Sequence, residues 1–224
     1  MNILKHIPNS ITLANMYCGF LSIGFTVANH FDIAVLLILL GMMLDGIDGR
    51  LARRFNANSK VGKELDSLAD IITFGIAPCI LFSYTNTIEG SVFDYSLAGL
   101  FLLSGGFRLA RFNSETTKDI SYFTGVPITA AGGILALSTL FHSHIPPIGN
   151  FLIIAVLSYL MVSKLQIPSF KNISLPNTKT TILILIGVLL LVFDTISITA
   201  LILTLFYIIY IVYRIRLLRT RKHG

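Results

Sequence analysis

Apolar runs long enough to cross a bilayer follow one another along most of this 224-residue chain. A span needs about 20 mainly apolar residues, within a range of roughly 17–25. Candidates run Ile11–Ala28, Ile33–Leu51, Leu68–Tyr84, Tyr95–Arg111, Val126–Phe141 and Asn150–Ser163. The last run, Thr181–Tyr213, would extend about 50 Å as one helix, against about 30 Å of hydrocarbon. Asp194, followed by Thr195 and Ser197, marks a turn that splits it into a hairpin. The expected fold is an all-α polytopic membrane protein, a bundle of about eight transmembrane helices. Composition agrees: 54% of residues are hydrophobic and 12% charged, where a soluble domain carries about 25% charged residues. That balance excludes a disordered chain, a disulfide scaffold and an ordinary soluble enzyme. Cys18 and Cys79 both lie inside apolar runs and read as small packing residues.

Charge placement tests the span count. All 17 Lys and Arg lie at the N-terminus, in or beside the even-numbered loops, or at the C-terminal end. The loops after the first, third, fifth and seventh helices hold Asp32, Glu89, Asp94, His142, His144 and Asp194, but no cation. Cations mark the cytoplasmic side, so both termini are expected there. A signal peptide is the rival reading of the first run, because Lys5 precedes it. Thr12 and Asn15 within it, and the lack of an A-x-A cleavage pattern, favour a retained helix. The net charge of +6 does not imply a nucleic-acid partner, since the cations punctuate apolar runs instead of forming a solvated face. The basic tail Arg214–Lys222 reads as a stop-transfer flank with some attraction to anionic lipid headgroups.

One segment does not suit a passive membrane protein. Asp45 and Asp48 are three apart, Asp66 and Asp70 four apart, so each pair shares a helix face. The short loop between the two helices makes them antiparallel neighbours, and the pairs can converge. Carboxylates at membrane depth are costly, each at least about 2.5 kcal/mol at a helix centre, and they mark functional sites by default. Four of them together repel unless a cation intervenes. An all-oxygen set without nearby His or Cys selects a hard ion such as Mg²⁺, Mn²⁺ or Ca²⁺. Gly49 and Arg53 continue the Asp45 stripe, with Ala52 beside it. The two small residues let a phosphate chain approach the helix, and Arg53 offers it a planar fork. The bland alternative pairs these aspartates with Arg50, Arg53, Arg54, Lys60 and Lys63 as interfacial salt bridges.

The pattern D-x-x-D-G-x-x-A-R-x8-G-x-x-x-D-x-x-x-D is matched at every position from Asp45 to Asp70. The chain therefore resembles the CDP-alcohol phosphotransferase superfamily of integral membrane enzymes. Further stretches resemble its phosphatidylserine synthases: Pro8-Asn9 with Thr12, Asn15 and Gly19; Asp66-Ser67 through Phe74-Gly75 and Ala77-Pro78; Phe107-Arg108 with Arg111-Phe112-Asn113; and Phe123 with Gly125 and Pro127. The resemblance implies transfer of a phosphatidyl group from CDP-diacylglycerol to L-serine. It also implies that Asp45, Asp48, Asp66 and Asp70 hold two divalent ions, Mg²⁺ or Mn²⁺, and that Asp70 deprotonates the attacking hydroxyl. Gly49, Ala52 and Arg53 resemble the CDP-binding positions, with Gly62 and Ser67 nearby. Superfamily members are usually homodimers, so a homodimer is expected.

The acceptor must be read by other groups. Arg108 and Arg111, three apart at the cytoplasmic end of the fourth helix, are candidates for the serine carboxylate; positive-inside flanking is their plain alternative. Thr12 and Asn15 share a face of the first helix and are candidates for a headgroup, with helix packing as the alternative. Within the enzyme class, the rival readings are a glycerol 3-phosphate acceptor or an archaeal ether-lipid serine transfer. A divalent-cation transporter is the rival from another class, though transporter sites sit near the midplane and these aspartates cluster at one rim. The expected organisation is a six-helix catalytic core over 1–165, a cytoplasmic loop over 166–179, a transmembrane hairpin over 180–215 and a basic tail over 216–224. The site would open to the cytoplasm for serine and CMP, and sideways to membrane lipids. Reporter fusions check the topology: one placed after Gly224 is expected to read cytoplasmic, and one inserted at Glu89 external.

Overall fold

The computed structural model describes residues 7–55, 57, 59–86, 92–114, 122–141, 145–164 and 166–168, without the side chains of 122–124 and 166–168. The chain divides into two compact units, Met1–Ser174 and Leu175–Gly224. The second unit lies outside the described residues, and with it the expected hairpin and basic tail. His142, His144 and Glu89 lie outside them too.

Helices make up nearly all of what is described: α1 (Ile7–Val27), α2 (Phe31–Arg54), α3 (Lys60–Asp70), a π-helical turn (Ile71–Ile76), α4 (Ala77–Thr85), α5 (Val92–Ser114), α6 (Ile128–Thr139) and α7 (Pro147–Val162). The α3, π turn and α4 segments run on as one rod. Each of the first six expected spans thus falls on a helical rod. Two rods, Ile7–Val27 and Lys60–Thr85, are long and apolar enough to cross a membrane. The sequence pattern did not anticipate a small antiparallel ribbon, β1 (Tyr122–Thr124) against β2 (Gln166–Pro168).

Local chemistry sets the ends. Asn29 takes a positive φ of 61° between α1 and α2, a conformation that Asn tolerates better than most residues. Ser59 caps α3, its Oγ accepting the Gly62 amide at 2.9 Å. Pro147 opens α7, where its missing N–H costs nothing. At the other end of α7, the Val126 amide donates to the Leu160 carbonyl at 3.2 Å, and Arg111 Nη1 donates to the Val162 carbonyl at 3.3 Å. The Ser163 hydroxyl also donates to the Leu160 carbonyl, at 2.8 Å, and together these donors cap the last turn.

The burial pattern is that of a lipid-embedded bundle. Helix α1 buries Thr12, Asn15, Gly19, Ser22 and Thr26, while Leu13, Tyr17, Phe20 and Val27 face outward. A water-soluble helix does the reverse. The inward hydroxyls find acceptors across helices: Ser22 donates to the Ala34 carbonyl at 2.9 Å, and Thr73 to the Asn15 carbonyl at 3.0 Å. Others bond back along their own helix, as Thr26, Ser83 and Ser158 do. Both cysteines are free thiols, as expected, and Cys79 donates to the Ala98 carbonyl of α5 at 3.1 Å. An apolar core of Ile38, Phe74, Leu81, Phe82, Phe101, Ile128, Leu135 and Ile154 fills the centre.

The π turn is the packing hub. It directly follows Asp70, and glycines on three helices make room for it. A Cβ on Gly19 would lie 2.5 Å from Thr73 Oγ1, and one on Gly41 2.6 Å from Thr73 Cγ2. A Cβ on Gly132 of α6 would overlap the Phe74 carbonyl. Overpacking of this kind costs typically 1–3 kcal/mol, and more against rigid backbone. Gly132→Val should therefore lower the thermal midpoint in detergent markedly, whereas Gly99→Val, with open space around it, should not.

Candidate active site

Helices α2 and α3 follow one another across the short connection 55–59 and both pack against α1, not along each other as the sequence suggested; their aspartates come together beside that helix. One carboxylate oxygen each from Asp45, Asp48 and Asp66 lies within 4.8 Å of the others. Asp70, one turn deeper on α3, stands outside that tight group but feels the charge of all three. It is 8% exposed, and its Oδ1 is buried with no hydrogen-bond partner. Among the described residues no salt bridge joins the four carboxylates to Lys or Arg, so the interfacial ion-pair alternative finds no support here. An all-oxygen cluster this close, in a low-dielectric setting, fits a divalent cation.

Beside the cluster lies a cleft of about 510 Å³, within the range typical of small-molecule sites. Its walls are Pro8, Asn9 and Thr12 from α1; Asp48, Gly49, Ala52 and Arg53 from α2; Ala57 and Ser59 from the connection; Lys60, Gly62, Lys63 and Asp66 from α3; and Phe112 from α5. Gly49, Ala52, Arg53 and Gly62 thus line one space with two of the four aspartates. Small residues keep it open: a Cβ on Gly62 would crowd Asn9 Oδ1 and Ser59 Oγ, each at 3.0 Å.

The remaining sequence candidates divide. Thr12 faces the cleft, but its hydroxyl donates to Asp48 Oδ2 at 2.6 Å. Asn15 is fully buried one turn deeper, with neither side-chain polar atom hydrogen-bonded. Ser67 does not line the cleft. Its hydroxyl donates to the Lys63 carbonyl at 3.2 Å and accepts from Asn113 Nδ2 at 2.9 Å. Arg108 is 7% exposed and attracted to Asp70, and its Nε has no hydrogen-bond partner. Arg111 is turned to the end of α7, as described above.

Sequence reasoning missed the latch that brings α5 to this site. Lys63 Nζ donates to the Asn113 carbonyl at 3.1 Å, while the Asn113 amide bonds Ser67. The Phe112 ring carries Lys63 Nζ 5.9 Å and Arg108 Cζ 6.0 Å from its centroid, at the edge of cation–π range. Helical spacing puts Lys63 on the face of Asp66 and Ser67, a usable signal. Asn113 belongs to a stretch that carries the family resemblance, but nothing in the pattern shows its partners, which it meets only through tertiary packing.

Residues 5–162 match the family model of the CDP-alcohol phosphatidyltransferases. The chain belongs to this family. The match takes in every helix from α1 to α7 and both aspartate pairs. A Helicobacter pylori protein named CDP-diacylglycerol–serine O-phosphatidyltransferase is 39% identical over 194 residues, 83% of this chain and 81% of its own. A Bacillus subtilis protein of the same name is 40% identical over 179 residues, 79% of this chain and 98% of its own. An archaetidylserine synthase from Methanothermobacter thermautotrophicus is 34% identical, covering 72% of this chain and 69% of its own.

In this CDP-alcohol phosphatidyltransferase, Asn113→Ala removes a hydrogen bond between α3 and α5, worth about 0.5–1.5 kcal/mol. A modest fall in thermal midpoint with an unchanged elution profile in detergent is the expected result.

Proposed function

We propose that this chain transfers the phosphatidyl group of CDP-diacylglycerol to the hydroxyl of L-serine, giving phosphatidylserine and CMP in phospholipid synthesis. One observation carries the reading: a cluster of Asp45, Asp48 and Asp66, two of which line a nucleotide-sized cleft, in a chain that aligns over most of its length with relatives bearing that activity in their names.

Asp45, Asp48, Asp66 and Asp70 would hold two divalent ions, Mg²⁺ or Mn²⁺, with Ca²⁺ a further candidate. Such ions supply charge neutralisation at a diphosphate and at the departing CMP. Arg53 binds the diphosphate, and Gly49, Ala52 and Gly62 give the nucleotide a close approach to the backbone. Ser67 contributes from behind through its bonds to Lys63 and Asn113. The serine hydroxyl is a poor nucleophile at neutral pH, so a positioned base is needed. Asp70 takes its proton as the oxygen bonds to phosphorus and the bond to the CMP oxygen breaks, and then releases the proton to water. Arg108 receives the serine carboxylate; its burial, its unpartnered Nε and its place beside Asp70 favour it over Arg111. The acyl chains stay in the membrane. We place both termini and the site on the cytoplasmic side of the cell membrane, take 1–165 as the catalytic core, and expect a homodimer.

The test is purified protein in detergent with CDP-diacylglycerol, Mg²⁺ or Mn²⁺, and radiolabelled acceptors. Serine-dependent, metal-dependent phosphatidylserine formation is expected, falling about 10²–10⁴-fold in Asp70→Asn. Lipid product with glycerol 3-phosphate but not serine would replace the acceptor. Serine transfer only from an ether-linked donor would replace the donor. Folded protein that binds metal without turnover on any acceptor would favour divalent-cation transport.

A further inference from the structure

We infer that Thr12 is a positioning residue for the metal-holding carboxylates, rather than a contact for the lipid headgroup. The inference rests on the reading that the aspartates hold a divalent cation.

Three observations carry it. The Thr12 hydroxyl lies 2.6 Å from Asp48 Oδ2, the short distance of an O–H donor on a charged acceptor. Both residues border the cleft yet are buried, at 4% and 3% exposure, so little of the bond is open to water. The other acceptor within reach, the Pro8 carbonyl at 3.0 Å, lies four residues back in α1 and already takes the helical amide of Thr12. The Asp48 oxygen is the nearer of the two and, as a carboxylate, the stronger acceptor, so the single hydroxyl proton goes to it.

The geometry also explains why the donor comes from α1. Asp48 continues the stripe of α2 that buries Ala34, Ile38 and Gly41, so its carboxylate enters a packed interface where an unpartnered charge is costly. A carboxylate turns freely about its last torsion unless one oxygen is held. Thr12, buried on a helix that packs along α2, holds Oδ2 from the neighbouring backbone. That sets the carboxylate plane that Asp48 presents toward Asp45 and Asp66. Ligand-orienting partners of this kind typically change metal affinity 10–100-fold when removed.

Mn²⁺ binding to the full-length protein in detergent, followed by electron paramagnetic resonance without lipid or serine, provides the test. Wild type is compared with Thr12→Val, Thr12→Ala and Thr12→Ser, with thermal melting as the folding check. Valine keeps the shape and loses the donor, so affinity should fall about 10–100-fold. Alanine should match valine, and serine should stay in the wild-type range. The activity assay adds a second readout. For Thr12→Val the Mn²⁺ activation curve should move to higher concentration, with KM for CDP-diacylglycerol at saturating Mn²⁺ unchanged. Wild-type Mn²⁺ affinity in both Thr12→Val and Thr12→Ala overturns the inference. So does equal loss in Thr12→Ser, which would assign the effect to the methyl group. A raised donor KM at saturating metal with an unmoved activation curve would restore the headgroup role. Absence of Mn²⁺ binding in wild type would instead sink the metal reading on which the inference stands.

Discussion

Inside a bilayer no water stands ready to take up a stray hydrogen bond, so every polar group must find its partner within the protein. Much of this structure follows from that rule. Helix α1 turns Thr12, Ser22 and Thr26 inward and its large apolar side chains outward, with Asn15, buried and without a side-chain hydrogen bond, as an exception. Hydroxyls bond to carbonyls of neighbouring helices or one turn back along their own. Close approach then requires small residues at the crossings, which is why Gly19, Gly41 and Gly132 meet at Thr73 and Phe74. The π turn sits at that meeting point, directly below Asp70.

Against that background the acidic cluster is an exception the fold tolerates only at its rim. Asp45, Asp48 and Asp66 crowd together with no Lys or Arg among the described residues in ion-pair range, and Asp70 keeps one oxygen unsatisfied. Packing alone gives no reason to gather these groups; a cationic ligand does. The cations that are present stand back. Arg53 lines the cleft, Lys63 ties down α5, and Arg108 approaches only Asp70. The charge pattern is thus divided between an acidic floor and a basic surround, in keeping with the phosphorylated ligand proposed above.

Much of this was legible in the chain itself. The spacing of Asp45 with Asp48, and of Asp66 with Asp70, announced two helix faces, and the short connection between them implied convergence. The apolar runs located the helical rods, because lipid imposes a length on them. What stayed hidden depends on partners distant in sequence. The π turn carries no periodicity signal, and its glycines come from three other helices. Asn113 is an ordinary polar residue until α5 is packed against α3. The ribbon of β1 and β2 arises because two short segments happen to lie side by side once α5, α6 and α7 are in place. Thr12 was singled out by its position, but only the fold shows that it turns to a carboxylate.

The wall that α1 contributes is a single helix thick. Thr12 looks into the cleft while its sequence neighbour Leu13 looks out at lipid. On the function proposed above, a substrate with a polar head and hydrocarbon tails is engaged without leaving its leaflet. For such an enzyme the meaningful concentration is the mole fraction of donor in the bilayer, not its amount per volume of solution. Diluting the substrate with inert lipid should slow turnover even when nothing in the aqueous phase has changed.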